Sequence, residues 1–404
     1  MNDMILIKNA YLLGMEEVNY EIRDVLIDGK TIREVGSFDS KDYPDALVID
    51  ARKRYLTPGL IDAHCHVGIS EEGIGNEGAD YNEVNDPVHP ELRAIDAIKP
   101  QDEGIAEAMK AGVTTVSTGP GSANVIGGTF CIMKTKGTVI DQMVVRAESA
   151  MKMALGENPK RVYGGKNQTP YTRMASAALI RDALIKAREY RKKVLDYKAD
   201  LVANKEVNPP EYNLKWASLA RVFDGFPVKI HAHQQDDIAT AIRLINEFQL
   251  NATIEHATEG YLMCDYLKAN HMRVIIGPTL GSKTKYELRN KSFESARILY
   301  ENGIPFAIMT DHPVIQLANA LTQVGLFVRE GLPELEAFKA VTIRAAELLG
   351  VQDRLGSIAP GKDADLVIWD GHPLHYLTKT AFVFIDGEIA HQTEEVNPKT
   401  GSQL

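Results

Sequence analysis

Residues 55–68 read Tyr-Leu-Thr-Pro-Gly-Leu-Ile-Asp-Ala-His-Cys-His-Val-Gly. Pro58-Gly59 is a turn signal, and the apolar pair Leu60-Ile61 after it reads as a buried strand. That strand ends in His64-Cys65-His66. Successive strand side chains point to opposite faces, so His64 and His66 share one face and Cys65 takes the other. Two imidazoles about 7 Å apart at Cα are placed to grip one metal ion at the mouth of a sheet.

Outward from this stretch the chain changes texture twice. The first 57 residues read as short strands: 4–13, 23–27, 31–35 and 47–50, with a turn at Asp28-Gly29-Lys30. From Pro58 strands alternate with helices. The strands are 112–118, 130–133, 150–155, 227–233, 251–256, 273–277 and 304–311. The helices are about 102–111, a long charged one at 172–200, then 236–248, 261–270, 293–302, 314–329 and 333–349. About eight strand–helix units over roughly 300 residues predict a (β/α)8 barrel, an α/β fold. Strand signals return at 363–369 and 381–385. The expected plan is residues 1–57 and 355–404 joined in a small β-sandwich, with the barrel at 58–354.

Function in such barrels sits at the C-terminal strand ends. The polar residues ending these strands are His66, Lys152, His233, His256 and Asp311, all of metal-ligand or acid–base type. His231 shares a face with His233 but lies one layer deeper, so packing or support of a ligand is its expected role. Lys152 lies in an apolar neighbourhood and needs a partner or a chemical change, with Lys134 and Glu148 as rivals. Lys160 and Arg161, just after that strand, are candidates for a substrate carboxylate, and His89 and His312 for substrate contact. The remaining histidines, 271, 372, 375 and 391, read as loop or surface groups, and Gly127-Gly128 as loop glycines.

Composition sets the outer bounds. Net charge is −10 across 404 residues with no basic block, so nucleic-acid binding is not expected. No apolar run approaches the roughly 20 residues of a membrane span. The N-terminus lacks the basic-then-apolar build of a signal peptide. Three cysteines, 65, 131 and 264, make no disulfide framework. A cytoplasmic protein is expected.

These motifs together resemble the amidohydrolase superfamily over most of the chain. Residues 57–66 look like its first barrel strand, Ile254-Glu-His256 like the sixth-strand motif and Met309-Thr-Asp311 like the eighth. The run from Arg354 to Asp370 looks like the return into its β-sandwich. Within the superfamily the chain is most similar to the imidazolonepropionase-related branch, which includes dipeptidase and prolidase-like enzymes. The long acidic segment 68–100 departs from imidazolonepropionase itself. The resemblance implies metal ligation by His64, His66, carboxylated Lys152, His233, His256 and Asp311. It implies one or two Zn²⁺ ions, with Mn²⁺ or Fe²⁺ as alternatives. It further implies hydrolysis of a linear or cyclic amide, such as a dipeptide or N-acyl amino acid, by a metal-activated hydroxide. Asp311 serves as general base and acid, and a homo-oligomer with a small-molecule substrate is expected. The rivals are a mononuclear imidazolonepropionase-like enzyme, a lactonase or phosphoesterase, and a deaminase. A deaminase would place Glu three residues after the strand-5 histidine, where this chain has Asp236. From another class comes a non-catalytic scaffold of the same fold. The substrate is not legible in the sequence.

Overall fold

Pro58-Gly59 divides two sheets. The computed structural model describes residues 4–17 and 19–393. Before the division run β1 (Met4–Leu13), β2 (Asn19–Asp28), β3 (Thr31–Gly36), β4 (Leu47–Asp50) and β5 (Tyr55–Pro58). After it come β6 (Leu60–Cys65), β7 (Val113–Thr118), β8 (Ile126–Lys134) and β9 (Val144–Ala154). Then follow β10 (Val228–Ala232), β11 (Ala252–His256), β12 (Val274–Ile276) and β13 (Phe306–Ile308). The chain ends in β14 (Leu366–Trp369), β15 (Thr380–Ile385) and β16 (Glu388–Gln392). Gly59 sits so close to β7 that a Cβ there would lie 2.1 Å from the Thr114 hydroxyl. Only glycine permits that approach.

Strands from both chain ends share one sheet, in the order β16-β15-β14-β5-β1-β2-β3, with β4 beside β1. Its core gathers Ile7, Val25, Ile27, Leu56, Leu366, Ile368 and Phe384, all buried. This pairing brings the two chain ends together, with β5 carrying the first part as far as Pro58 and Leu355 packed with the barrel cluster; the division at 57/58 and 354/355 stands as a proposal. Residues 394–404 of the C-terminal part lie outside the described residues.

The second sheet is the barrel wall, in the order β13-β12-β11-β10-β9-β8-β7-β6. Its ends meet through bonds beyond the strands proper. Asp311 N–H donates to His64 O at 3.2 Å and His66 N–H to His312 O at 2.9 Å. Helices cover the wall by apolar stripes. In 235–248, Ile238, Ala241, Ile242, Ile245 and Phe248 are buried, the three-and-four spacing of one helix face. The helix Arg173–Val202 starts at Thr172, whose hydroxyl accepts from Ala175 N–H. Opposite the mouth, Ile61, Ala63, Ile132, Ile275 and Ala307 pack with Ala345, Ala346 and Leu349. Among the described residues no helix is long and apolar enough to cross a membrane.

The expected repeat of strand–helix units is corrected at one place. β8 runs antiparallel to both β7 and β9. The connections 119–125 and 135–143 are shorter than the dozen or so residues that a parallel crossover requires, so this part of the wall is built from hairpins. Gly127 and Gly128 belong to β8 rather than a loop. Gly128, at φ +111, lies against the Leu92 carbonyl. The antiparallel course also sends Lys134 to the end away from the mouth. There its ammonium, 5% exposed, binds Asp363 at 2.7 Å, Asp365 at 3.0 Å and Asp386. This cluster couples the barrel to the second sheet. Burial pushes the Asp365 carboxyl up to about 6 despite Lys134.

Removing the cation leaves buried carboxylates uncompensated, a loss on the order of 3–5 kcal/mol. Lys134→Met is therefore expected to lower the urea midpoint of unfolding, and a midpoint equal to that of the parent protein would show that the cluster contributes nothing.

Candidate metal centre

β6 carries the first pair of imidazoles. Its pairing with β7 shifts register between Asp62 and Cys65, an irregularity of the kind that re-aims side chains. Asp62, 4% exposed, accepts His64 N–H at 3.0 Å and Thr310 N–H at 2.8 Å, which ties the first strand to the last. The loop after β6 is held by Asp102, which accepts from Gly68, Glu72 and Gly104 N–H. His64 and His66 are both buried, with ring centroids 5.5 Å apart. His64 Nδ1 donates to Glu255 Oε2 at 2.5 Å and His66 Nδ1 to Gly119 O at 2.6 Å.

β10 and β11 carry the second group. His231 and His233 share a face by the period of two, with ring centroids 4.7 Å apart. His256 stacks on His233 at 4.4 Å. A regular strand would turn His256 away from its neighbour Glu255. Instead the backbone enters the left-handed region at His256 (φ 68) and Ala257 (φ 41), and both side chains face the barrel. His233 Nδ1 bonds Thr258 Oγ1 at 2.7 Å, and His256 Nδ1 donates to Gly277 O at 2.8 Å.

Asp311, also left-handed at φ 55, brings its Oδ1 to 3.2 Å from His66 Nε2 and 3.8 Å from His64 Nε2. Burial would raise this carboxyl, but the bonded His66 and the charges of His66, His64 and Lys152 overrule it and hold it at about 2. Lys152 is fully buried, with Nζ 3.1 Å from His64 Nε2. Burial, aided by the Lys229 charge, brings its ammonium down to about 8 against the pull of Glu255 and Asp311.

The sequence candidates thus fall into two groups. His231, His233 and His256 offer ligand atoms within 4.8 Å of one another, and so do His64, His66 and Asp311. Lys152 stands beside the second group. His231 is buried, and neither ring nitrogen has a hydrogen-bond partner. The rivals of Lys152 are elsewhere. Lys134 is in the carboxylate cluster, and Glu148 accepts from Arg221 at 2.6 Å. His89 bonds Glu91 and Asn85. His312 is buried rather than exposed, and its ring lines a cavity of about 270 Å³ with Glu72, Glu103 and Glu107. Lys160 is half-buried, with its charge bearing on Asp237, and Arg161 is exposed. Asp236 is exposed and paired with Arg173.

Three groups were missed. Lys229 Nζ bonds Glu255 Oε2 at 3.1 Å and Ala63 O at 3.0 Å. The signal was present, since Lys229 lies two residues before His231 and Glu255 stands between Ile254 and His256 in apolar strands. Glu287, 1% exposed, comes from the loop after β12. It lies 3.5 Å from His233 Nε2 and 3.9 Å from His231 Nε2. A loop residue carries no periodic signal.

The residues fit a transition metal. His64, His66, His233 and His256 each have Nδ1 anchored, which leaves Nε2 as the nitrogen turned to the centre, the usual arrangement of ligating histidines. The orphaned His231 ring is a buried polar group for which a metal would supply a partner. The amidohydrolase family pattern matches residues 55–392. The crystal structure of an amidohydrolase from Thermotoga maritima MSB8 superposes with a TM-score of 0.91 at 40% identity, covering 96% of this chain and 100% of that one. Amidohydrolase tasK of Hapsidospora irregularis is 31% identical over 388 residues. That match takes in 90% of this chain, which spans only 39% of that relative's length. An imidazolonepropionase of Paracoccus denitrificans (strain Pd 1222) is 25% identical over 415 residues, 94% of this chain and 97% of that protein. The chain belongs to the amidohydrolase family.

Proposed function

We propose that this protein is a metal-dependent hydrolase of carbon–nitrogen amide bonds, linear or cyclic, such as those of a dipeptide or N-acyl amino acid. The observation that carries the reading is the set of imidazoles pinned at Nδ1, with the Nε2 atoms of His64 and His66 turned to Asp311 and His233 and His256 grouped beside them. His64, His66, His233, His256 and Asp311 would hold Zn²⁺, with Mn²⁺ or Fe²⁺ as alternatives. Such an ion polarises the scissile carbonyl and lowers the pKa of water towards neutrality. The chain's own part is proton handling and placement. The Asp311 carboxylate takes a proton as the water oxygen bonds to the carbonyl carbon. It returns that proton to the leaving nitrogen when the C–N bond breaks. Asp236 is paired with Arg173 at the surface, so the deaminase reading lacks its acid. The resemblance adds a cytoplasmic homo-oligomer to the proposal.

Two ions close together in a low-dielectric site repel, and a carboxylated Lys152 would bridge them. Burial favours the neutral amine, which is the form that adds to carbon dioxide. Lys152→Ala is expected to lose at least one metal equivalent and most activity on a panel of N-acyl amino acids, dipeptides and cyclic amides. Added acetate or propionate should restore part of both. Full metal content with an unchanged rate would make Lys152 a structural residue. A wild-type protein that binds metal yet cleaves no member of the panel would count against amide hydrolysis.

Glu255 fixes the His64 ring through Nδ1, and outer partners of this kind govern affinity by about 10–100-fold. Glu255→Gln should weaken zinc binding by that order in competition with a chromophoric chelator. An unchanged affinity would mean that the His64 ring is fixed by packing against Phe130, 4.8 Å away, and not by the carboxylate.

A further inference from the structure

The loop after β12 carries four cations, Lys283, Lys285, Arg289 and Lys291. Three of them serve the loop or its flank. Lys283 Nζ donates to Arg289 O at 2.7 Å and Lys291 Nζ to Gly281 O at 2.8 Å. The Arg289 guanidinium lies over the Tyr286 ring at 4.3 Å and stands 3.7 Å from Glu259, which follows the neighbouring β11. Lys285 reaches further. Its Nζ donates to Asn158 Oδ1 at 2.8 Å, in the helix that follows β9. β10 and β11 lie between β12 and β9 in the wall, so this side chain spans the mouth above them. Asn158 is 8% exposed and fixed in turn, because its Nδ2 donates to Ser122 Oγ at 2.7 Å. A polar chain thus joins three strand ends, after β7, β9 and β12, and holds one ammonium in place.

An ammonium has three hydrogens to give. One goes to Asn158, and among the described residues the other two meet no acceptor. Glu287 Oε1, 3.8 Å away, is too far for a hydrogen bond. That carboxylate is turned inward, 3.5 Å from His233 Nε2 and 3.9 Å from His231 Nε2. Its side chain is 1% exposed and that of Lys285 23%. The pair therefore presents a buried anion to the centre and an open cation to the mouth.

We infer that Lys285 binds a carboxylate of the substrate, so that the preferred substrate is an amide with a free carboxylate about one residue from the scissile bond. The inference rests on the amide-hydrolase reading and narrows it, since a neutral cyclic amide lacks the group. The reach suits such a molecule. Steps of 3.8 and 3.5 Å lead from Lys285 Nζ by way of Glu287 Oε1 to His233 Nε2. In a dipeptide or N-acyl amino acid the terminal carboxylate stands about one residue, roughly 3.8 Å, from the scissile carbonyl carbon. A charged N–H···O bond adds about 2.8 Å. A carbonyl held beside His233 has its carboxylate within reach of Lys285. The sequence offers Lys160 and Arg161 for the same task. Arg161 is exposed, and the charge of Lys160 bears on Asp237, a buried carboxylate with an unbonded oxygen of its own.

The experiment uses the zinc-loaded whole protein. N-acetyl amino acids and dipeptides are paired with their C-terminal carboxamides, and cleavage of the same internal bond is measured for both members. Calorimetric binding of each pair runs alongside. The parent protein should favour the carboxylate member by about 10–100-fold in kcat/KM, the range of a hydrogen bond between charged groups. In Lys285→Met that ratio should fall to near one, through KM rather than kcat, at the zinc content of the parent. Lys285→Arg should recover part of the preference. Lys283→Met, which removes a charge from the same loop, should keep it whole. A ratio near one in the parent protein would overturn the inference and leave amide hydrolysis standing. So would a loss in Lys285→Met that is equal for both members, the mark of a structural partner of Glu287, or a loss of zinc in that variant. A preference lost in Lys160→Met instead would overturn it as well. Cleavage of no member at all would remove the amide-hydrolase reading. The inference would then stand only if the parent protein bound carboxylates more tightly than carboxamides and Lys285→Met did not.

Discussion

The buried carboxylate of Glu255 is the constraint on which the centre depends. It is fully enclosed, and a carboxylate without partners in such a place is strongly unfavourable. Its Oε2 is met by His64 Nδ1 and Lys229 Nζ, and its Oε1 by the Thr253 hydroxyl. Lys229 reaches on to the Ala63 carbonyl. Three strands are thereby locked across the barrel by one side chain, and the tautomer of His64 is set. The free Nε2 of His64 points to Asp311 and Lys152 because the other nitrogen has no choice of partner.

Strand ends then convert a regular wall into a centre. A flat strand cannot present both Glu255 and His256 to one side, and the left-handed turns at His256 and Ala257 make it do so. Asp311 is turned in the same way. Non-glycine residues in this region carry strain of roughly 1–3 kcal/mol each. It is sustained by specific bonds: the His256 ring to Gly277 O, and Asp311 N–H to His64 O. At His256, Ala257 and Asp311 the strain goes with the placement of the candidate donors.

Legibility in the sequence follows the same division. Where the chain keeps the period of two, residues alone were enough: His64 with His66, and His231 with His233, fall on shared faces as read. Lys152, His256 and Asp311 stood out as polar strand ends, the resemblance implied that they are ligands, and all three lie where the imidazoles gather. The period misled at Glu255, because the reading placed His256 without asking what its neighbour would do. It placed His231 one layer deeper as a supporting group, and neither of its nitrogens is bonded. The hairpins around β8 were legible in principle from connection length, but a count of strands and helices does not register direction. Glu287 was out of reach, since its position depends on how a loop folds back over β10.

The barrel interior explains why stability and chemistry are joined in this protein. Barrels of this kind are usually filled by layers of branched apolar side chains. Here the apolar plug is confined to the end near Leu349. Above it the filling is Lys229, Glu255, Thr253, Lys152 and the histidines, all buried. Apart from His231, these groups bond one another or the segments around them, so removing a member of the Glu255 cluster strands a partner in a medium where an unpaired charge is far more costly than a missing methyl group. The same pairing that keeps the interior stable also fixes which nitrogen of each imidazole faces the centre. A fold that places its charges this way has little freedom to trade one polar core residue for another, whereas the loops above the mouth, free of that accounting, can vary to select the substrate.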